Sequence, residues 1–421
     1  MKKRIIGLML AFVLVLTACG QTAQNESQPA KENTSTTEGK EITFMIPDWG
    51  APPQEMLDEF KEESGITVNV ETVSWDDIRN KVSIAAGGKT APADVFEVDW
   101  SWVGEFSAAG WLAPLTLDEE NKADFKGIDT FTYDGNVVAL PYANDFRTGY
   151  YNTEMYEKAG LTEPSTWDEV AENSKKIKEQ GIAEYPYAIP LGAEENATTS
   201  LLWLTFIRDG VVFNEDNTLN KENVMRSLEF MNSMVKDGLV DPANASGSGM
   251  DSYRKITDGS TSFMVGPSSF ASRVNDPKES SVVGKVQPIV PPGSDSKAKQ
   301  TMALNEGIGV SAYSENKEAA QKFVEWYTSE ATQEKLYAAN NTIPTRTSTL
   351  TKLVENDTIK NGKVLLETAE LVKTVFPNGV PKYYTEMSTA IFNAVNKMAL
   401  GELTPQQAFE EMNGKVTELA K

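Results

Sequence analysis

Between Glu41 and Val98 the apolar residues switch repeatedly from short buried runs to helical stripes and back, an alternation that limits the chain to an open α/β architecture. Ile42-Thr43-Phe44-Met45-Ile46 is a compact apolar run stopped by Pro47-Asp48, which predicts a buried first strand. Residues 54–63 place Met56, Leu57 and Phe60 on one helical face, and Gly65 ends them. Residues 66–70 alternate at period two, as a strand does. Ser74, with Asp77 three residues on, predicts a capping box opening a helix through Ile78, Val82 and Ala85. Residues 94–98 form the next strand. Further on, Thr166 and Glu169 cap a helix whose buried side is Trp167, Val170, Ser174 and Ile177. Residues 314–327 carry the stripe Ala319, Ala320, Phe323, Val324 and Tyr327, and Thr404-Pro405 opens the last helix. Residues 241–251 and 288–300 read as surface loops.

The N-terminus has a different character. Met1-Lys2-Lys3-Arg4 is followed by the apolar run Ile5 to Leu16 and then Thr17-Ala18-Cys19, the parts of a secretory signal over residues 1–18. The run is too short for a stable membrane span, which needs about 20 apolar residues. Leu16-Thr17-Ala18-Cys19 resembles the bacterial lipobox, which implies that Cys19, the only cysteine of the chain, is acylated and becomes the new N-terminus. The alternative is a plain signal cut near Ala18 that leaves an idle thiol. Residues 19–40 lack large apolar side chains and read as a disordered tether. The expected setting is the extracytoplasmic face of a bacterial cell membrane, reached through a lipid anchor.

Composition removes several functions. With no histidine, neither a Ser-His-Asp nor a Cys-His nucleophile system can form, nor an imidazole metal site. A single cysteine leaves no internal disulfide and no cysteine-cluster metal site. The net charge of −22 argues against nucleic acid, whose phosphates need a positive groove. Gly88-Lys89-Thr90 looks like the end of a phosphate loop, but Ser83 stands where its first glycine belongs. Gly307-Ile308-Gly309-Val310-Ser311-Ala312 fits a dinucleotide pattern but is followed by a turn, so it reads as a strand with two glycines. No motif calls for a cofactor or a metal.

Several segments in order resemble family 1 extracellular solute-binding proteins, the maltose-binding-protein-like sugar receptors of ABC importers. Val137-Val138-Ala139-Leu140-Pro141-Tyr142 running into Gly149-Tyr150-Tyr151-Asn152 resembles the family's first crossing between lobes. Glu163-Pro164-Ser165-Thr166-Trp167-Asp168-Glu169 resembles its P-x-T-W-D-E helix start, the most specific match. The stretch from Gly259 to Pro267, then Ala319 to Trp326, Ile343-Pro344-Thr345-Arg346 and Gly401-Glu402-Leu403-Thr404-Pro405 resemble later parts. The resemblance covers nearly all of residues 41–421. It implies a two-lobe, periplasmic-binding-protein-like (type II) α/β fold with a hinge and an interlobe ligand cleft, in a monomer. The first lobe is expected over residues 41–143 plus 286–326 and the second over 144–285 plus 327–421. The implied partners are a mono- or oligosaccharide, the permease subunits with their cytoplasmic ATPase, and the membrane through the anchor.

Ligands of open α/β sheets bind beyond the carboxyl ends of strands. The candidates there are Asp48, Trp49, Asp99, Trp100, Trp102, Ser268, Asn305, Glu306 and Tyr384. The resemblance adds Asp145 and Arg147 in the first crossing, and Trp203 in a region where the family carries a stacking aromatic. A carboxylate accepts two or more hydroxyl donors, an Arg fork donates to oxygens, and an indole face covers the C–H side of a pyranose. Trp102, Trp111 and Trp203 read equally well as helical core, and Asp48 and Asp99 as helix caps. Acids beside tryptophans also suit a cationic amine such as a polyamine. A surface-anchored glycan hydrolase using two carboxylates is the third reading.

Overall fold

The computed structural model describes residues 39–421, so the signal segment, Cys19 and the tether as far as residue 38 lie outside the described residues. Among the described residues there are eleven strands: β1 (Glu41–Ile46), β2 (Thr67–Thr72), β3 (Val95–Asp99), β4 (Thr132–Tyr133), β5 (Asn136–Val137), β6 (Leu140–Ala143), β7 (Arg147–Asn152), β8 (Tyr187–Ala188), β9 (Phe263–Pro267), β10 (Val286–Ile289) and β11 (Glu306–Val310). They form a five-stranded sheet in the order β2-β1-β3-β11-β6, a four-stranded sheet in the order β10-β7-β9-β8, and the hairpin β4-β5. Each larger sheet is the centre of one lobe, the two-lobe fold that the family resemblance implies.

In the first lobe β1, β2 and β3 run parallel, and β11 enters antiparallel between β3 and β6. The helix Gln54–Ser64 buries Met56, Leu57 and Phe60 and stops at Gly65, whose φ of 72° is one that glycine adopts without strain. Phe44 packs edge-on to Phe323 and Tyr327 at 5.0 and 5.4 Å, so the helix Lys317–Tyr327 seals the same face. The two glycines of β11 serve packing: a Cβ on Gly307 would lie 2.6 Å from the Phe131 ring, and one on Gly309 2.9 Å from Leu112. The helix Trp75–Gly87 begins as expected, but without the predicted cap. Ser74 donates its hydroxyl to Asp77 at 2.6 Å instead of accepting a backbone N–H.

In the second lobe the capping box of Thr166 and Glu169 is complete, and Trp167, Val170, Ser174 and Ile177 are its buried stripe. The helices Glu195–Asp209, Lys221–Lys236, Tyr384–Ala399 and Pro405–Leu419 pack together as its helical layer.

The chain crosses between lobes at places that differ from the expected boundaries. Strand β10 pairs antiparallel with β7, so residues 286–289 belong to the second sheet, not to the first lobe. Phe146 bridges Ala303, which keeps the chain with the second lobe nearly to Asn305. Beyond Tyr327, Leu336 still packs in the first lobe's core, whereas Tyr337 packs with residues of the second. The crossings are laced together. Leu304 N–H donates to the Asp145 carbonyl at 2.8 Å, Asn144 N–H to Ile343 at 2.9 Å, and Thr345 Oγ1 to Pro141 at 2.6 Å.

Candidate functional site

The carboxyl ends of β3 and β11 meet in register, with Asp99 directly opposite Glu306. Asp99 caps the short turn Trp100–Trp102, accepting the Ser101 N–H at 2.8 Å, and its other oxygen receives Trp75 Nε1–H at 3.3 Å. Burial nevertheless pushes its carboxyl up to about 7, against the bonds from Ser101, and the charge of Glu195 across the cleft adds to the rise. Glu306 Oε2 accepts two donors, Trp49 Nε1–H at 2.6 Å and the Tyr142 hydroxyl at 2.8 Å. Burial pushes it to about 7 as well, with Asp99 and Asp145 adding and the bonds from Trp49 and Tyr142 opposing. Trp49 is 44% exposed, so the ring that Glu306 holds offers a face to solvent.

The second lobe answers with Glu195, the first residue of the helix Glu195–Asp209. Its two oxygens accept the Tyr384 and Ser388 hydroxyls, each at 2.5 Å. Burial again dominates and pushes the carboxyl up to about 7, despite both donors. The Tyr384 ring meets the Trp100 indole edge-on at 4.9 Å, and Phe376 lies near-parallel to that indole at 6.2 Å. Trp100 therefore joins the end of β3 to the facing lobe.

Between the lobes lies the first crossing. Arg147 Nη1 donates to Asp145 Oδ1 at 2.8 Å, and the guanidinium, 2% exposed, sits 5.7 Å over the Tyr253 ring. The Asp145 side chain keeps 28% of its surface open, which makes it a solvent-reached floor to the cleft. Burial raises its carboxyl above the usual range, and Arg147 opposes the rise. Asn305 Oδ1 accepts the Asp145 N–H at 3.0 Å, and Ser268 donates to the Asn144 carbonyl at 2.7 Å.

The structure thus brings Trp49, Asp99, Trp100, Asp145, Glu306 and Tyr384 together near the carboxyl ends of β3 and β11. Other candidates have different places. Trp203 is wholly buried and stacked on Trp167 at 5.9 Å, a core residue. Trp102 is 2% exposed against Trp75 and Phe106. Ser268 and Asn305 tie the crossings, and Arg147 is spent on Asp145. Asp48 is exposed in its turn and makes no side-chain cap bond. Trp111 lies between helices and not within one.

Sequence reasoning missed Glu195, Tyr142, Trp75 and Glu97. Glu195 carried a usable signal, an acid just past a short strand at the start of an apolar helix. Glu97 is wholly buried in β3, and neither carboxyl oxygen has a partner. Burial, with the charges of Glu306 and Asp99, pushes its carboxyl well above the usual carboxylate range. Among the described residues no cluster of three or more acids, Cys or His could hold a metal ion, and no helix is long and apolar enough to cross a membrane.

A two-lobe α/β body with acids and aromatics at the strand ends of a laced hinge is the form of a solute receptor. The chain belongs to the bacterial extracellular solute-binding protein family, whose model matches residues 46–334. It is 24% identical over 403 residues to a putative binding protein of Brucella abortus, covering 92% of this chain and 95% of that one. It is 23% identical to a maltooligosaccharide ABC transporter solute-binding lipoprotein of Streptococcus pneumoniae, over 82% of this chain and 80% of that one. Among solved structures, an ABC transporter solute-binding protein of Agrobacterium radiobacter in complex with ribitol superposes with a TM-score of 0.78 at 22% identity, covering 91% of this chain and 99% of that one. Maltose-bound MalE3 of T. maritima gives 0.77 at 23% identity, covering 90% and 99%.

Proposed function

We propose that this chain is the receptor of an ABC importer and that it encloses a neutral polyhydroxylated ligand, a sugar, sugar alcohol or short oligosaccharide, between its lobes. The observation that carries this is the exposed Trp49 ring, fixed at its N–H by Glu306, which stands opposite Asp99 and feels the charge of Asp145. An indole face removes the apolar C–H side of a sugar from water. Carboxyls held near neutrality suit hydroxyls, because each can accept a hydrogen bond when ionised and donate one when protonated. Asp99 and Glu195 take this role, Asp145 adds an acceptor, Glu306 holds Trp49, Trp49 and Trp100 supply ring surface, and Tyr384 orients Glu195.

The lobes are residues 41–143 plus 305–342, and 144–304 plus 343–421, closing about the three crossings. Cys19 carries the lipid anchor, and the closed complex docks on permease subunits as a monomer. The protein releases its ligand unchanged, without catalysis. The test is tryptophan fluorescence and calorimetry over maltose, maltotriose, ribitol, mannitol and spermidine, with chromatography for product. Saturable one-to-one binding of a sugar or polyol with no product supports the reading; binding of spermidine alone, or a cleaved glycan, refutes it.

One observation favours a second reading. Among the described residues Asp99, Glu195 and Glu306 have no cation paired with them, and the Arg147 guanidinium is already paired with Asp145, which leaves a surplus of acid for an aminated ligand. Such a ligand would bind more tightly as pH rises through 7 and more weakly as salt rises, whereas a neutral glycan responds little to salt.

A further inference from the structure

Trp49 is held to an unusual degree for an exposed side chain. Its indole N–H is bonded to Glu306, its carbonyl accepts Asn340 Nδ2–H at 3.3 Å, and the next carbonyl, Gly50, accepts the Tyr327 hydroxyl. Gly50 has no room for a side chain. A Cβ there would lie 2.5 Å from the Tyr142 hydroxyl, the group that also donates to Glu306. The turn Asp48–Gly50, Tyr142 and Glu306 are therefore fitted to one another. Glu97 lies behind them on the same face of the sheet, two residues before Asp99 along β3.

We propose that Glu306 is a positioning residue, which clamps the Trp49 ring in the orientation that receives the ligand, with the Tyr142 hydroxyl fixing Glu306 from behind. This rests on the sugar-binding reading. An exposed indole on a free turn would lose rotamer freedom on binding, and a clamped one has lost it already. The clamp responds to pH because Glu306 is faced by Glu97 and Asp99 from β3, Tyr142 from β6, Asp145 from the crossing and Tyr327 from the helix Lys317–Tyr327. All of these are acids or phenols; of the cations around Asp145, Arg147 is turned to Asp145 and Arg273 is paired with Glu279.

The test is the indole N–H spectrum of protein labelled with nitrogen-15 tryptophan, with no ligand, beside maltose titrations. In the wild type the Trp49 signal should titrate with a midpoint near pH 7, the value to which Glu306 is pushed. Glu306→Leu should move that signal to the position of a free indole and weaken maltose binding about tenfold. Glu306→Gln, which keeps an acceptor oxygen, should restore signal and affinity and abolish the titration. Trp49→Phe, at an exposed position, should lose affinity to the same extent as Glu306→Leu. An unmoved Trp49 signal in Glu306→Leu, no rescue by Gln, or wild-type affinity in Trp49→Phe overturns the proposal. A wild type that binds no sugar ends the sugar-binding reading instead, and the ligand-free spectra still decide whether Glu306 holds the ring.

Discussion

Gly104 of the first lobe faces the Val380 carbonyl of the second so closely that a Cβ on Gly104 would lie 2.1 Å from that oxygen and 3.0 Å from the Pro381 backbone. Both obstacles are main chain and cannot rotate away. The approach brings the helix Val103–Ala108 down on the segment leading into the helix Tyr384–Ala399, beside the contact of Trp100 with Phe376 and Tyr384.

Gly104→Ala should therefore block full closure while leaving each lobe folded. Small-angle scattering of the ligand-saturated variant should keep a larger radius of gyration than the wild type, and affinity should fall at least about tenfold. A variant that compacts like the wild type would show that the lobes close along another path.

The cleft acids set a pH dependence of stability. Folded Asp99, Glu195 and Glu306 keep their protons to about pH 7, whereas unfolded carboxyls lose theirs near pH 4. Between these values the folded state binds more protons, so stability falls as pH rises through the window and levels off above it. The ligand-free melting temperature should be lower at pH 8 than at pH 5.5, and Asp99→Asn with Glu195→Gln should flatten the slope. A rise over that range would contradict the assignment.

Asp145 and Arg147 form a pair in which one member is nearly inaccessible. Asp145→Ala leaves the guanidinium buried without its partner, at a cost of roughly 3 kcal/mol in chemical denaturation, besides any loss of ligand. Asp145→Asn, which still accepts one hydrogen bond, should recover much of the stability. Equal stability of Asp145→Ala and wild type would mean that Arg147 finds another acceptor.

Two tryptophans should behave in opposite ways. Trp203→Ala opens a cavity against Trp167 and should cost about 3–5 kcal/mol of stability. Trp49→Ala removes an exposed ring and should hardly change stability while weakening ligand binding. Melting and binding measured on both variants separate core from cleft.

The elements most legible in the sequence were those whose signals are local. The stripe of the helix Trp167–Glu179 and its Thr166 and Glu169 cap stand residue for residue as the pattern predicts, because capping and amphipathicity act within one turn or two. Asp99, Glu306 and Asp145 could be nominated because they follow strands or lie in a crossing. Glu195 could not be set against Asp99, since what brings them together is a lobe-to-lobe contact 96 residues apart in the chain. The misplacement of residues 286–289 has a similar cause. Their strand character is local, but pairing with β7 depends on register between distant segments. Trp203 misled because a tryptophan in an apolar helix gives no sign of which side its neighbours occupy.

The position of β11 has a consequence for how the chain is made. It is an interior strand, lying between β3 and β6, yet it is synthesised long after both. Until residues 306–310 have appeared, the first lobe has a gap where its sheet should be continuous, with two unpaired strand edges and no route to a closed core. Long-range pairing of this kind is slow to form. The strands of the second sheet, β7 to β10, are all made before β11, so the second lobe can complete its sheet while the first still waits for its interior strand.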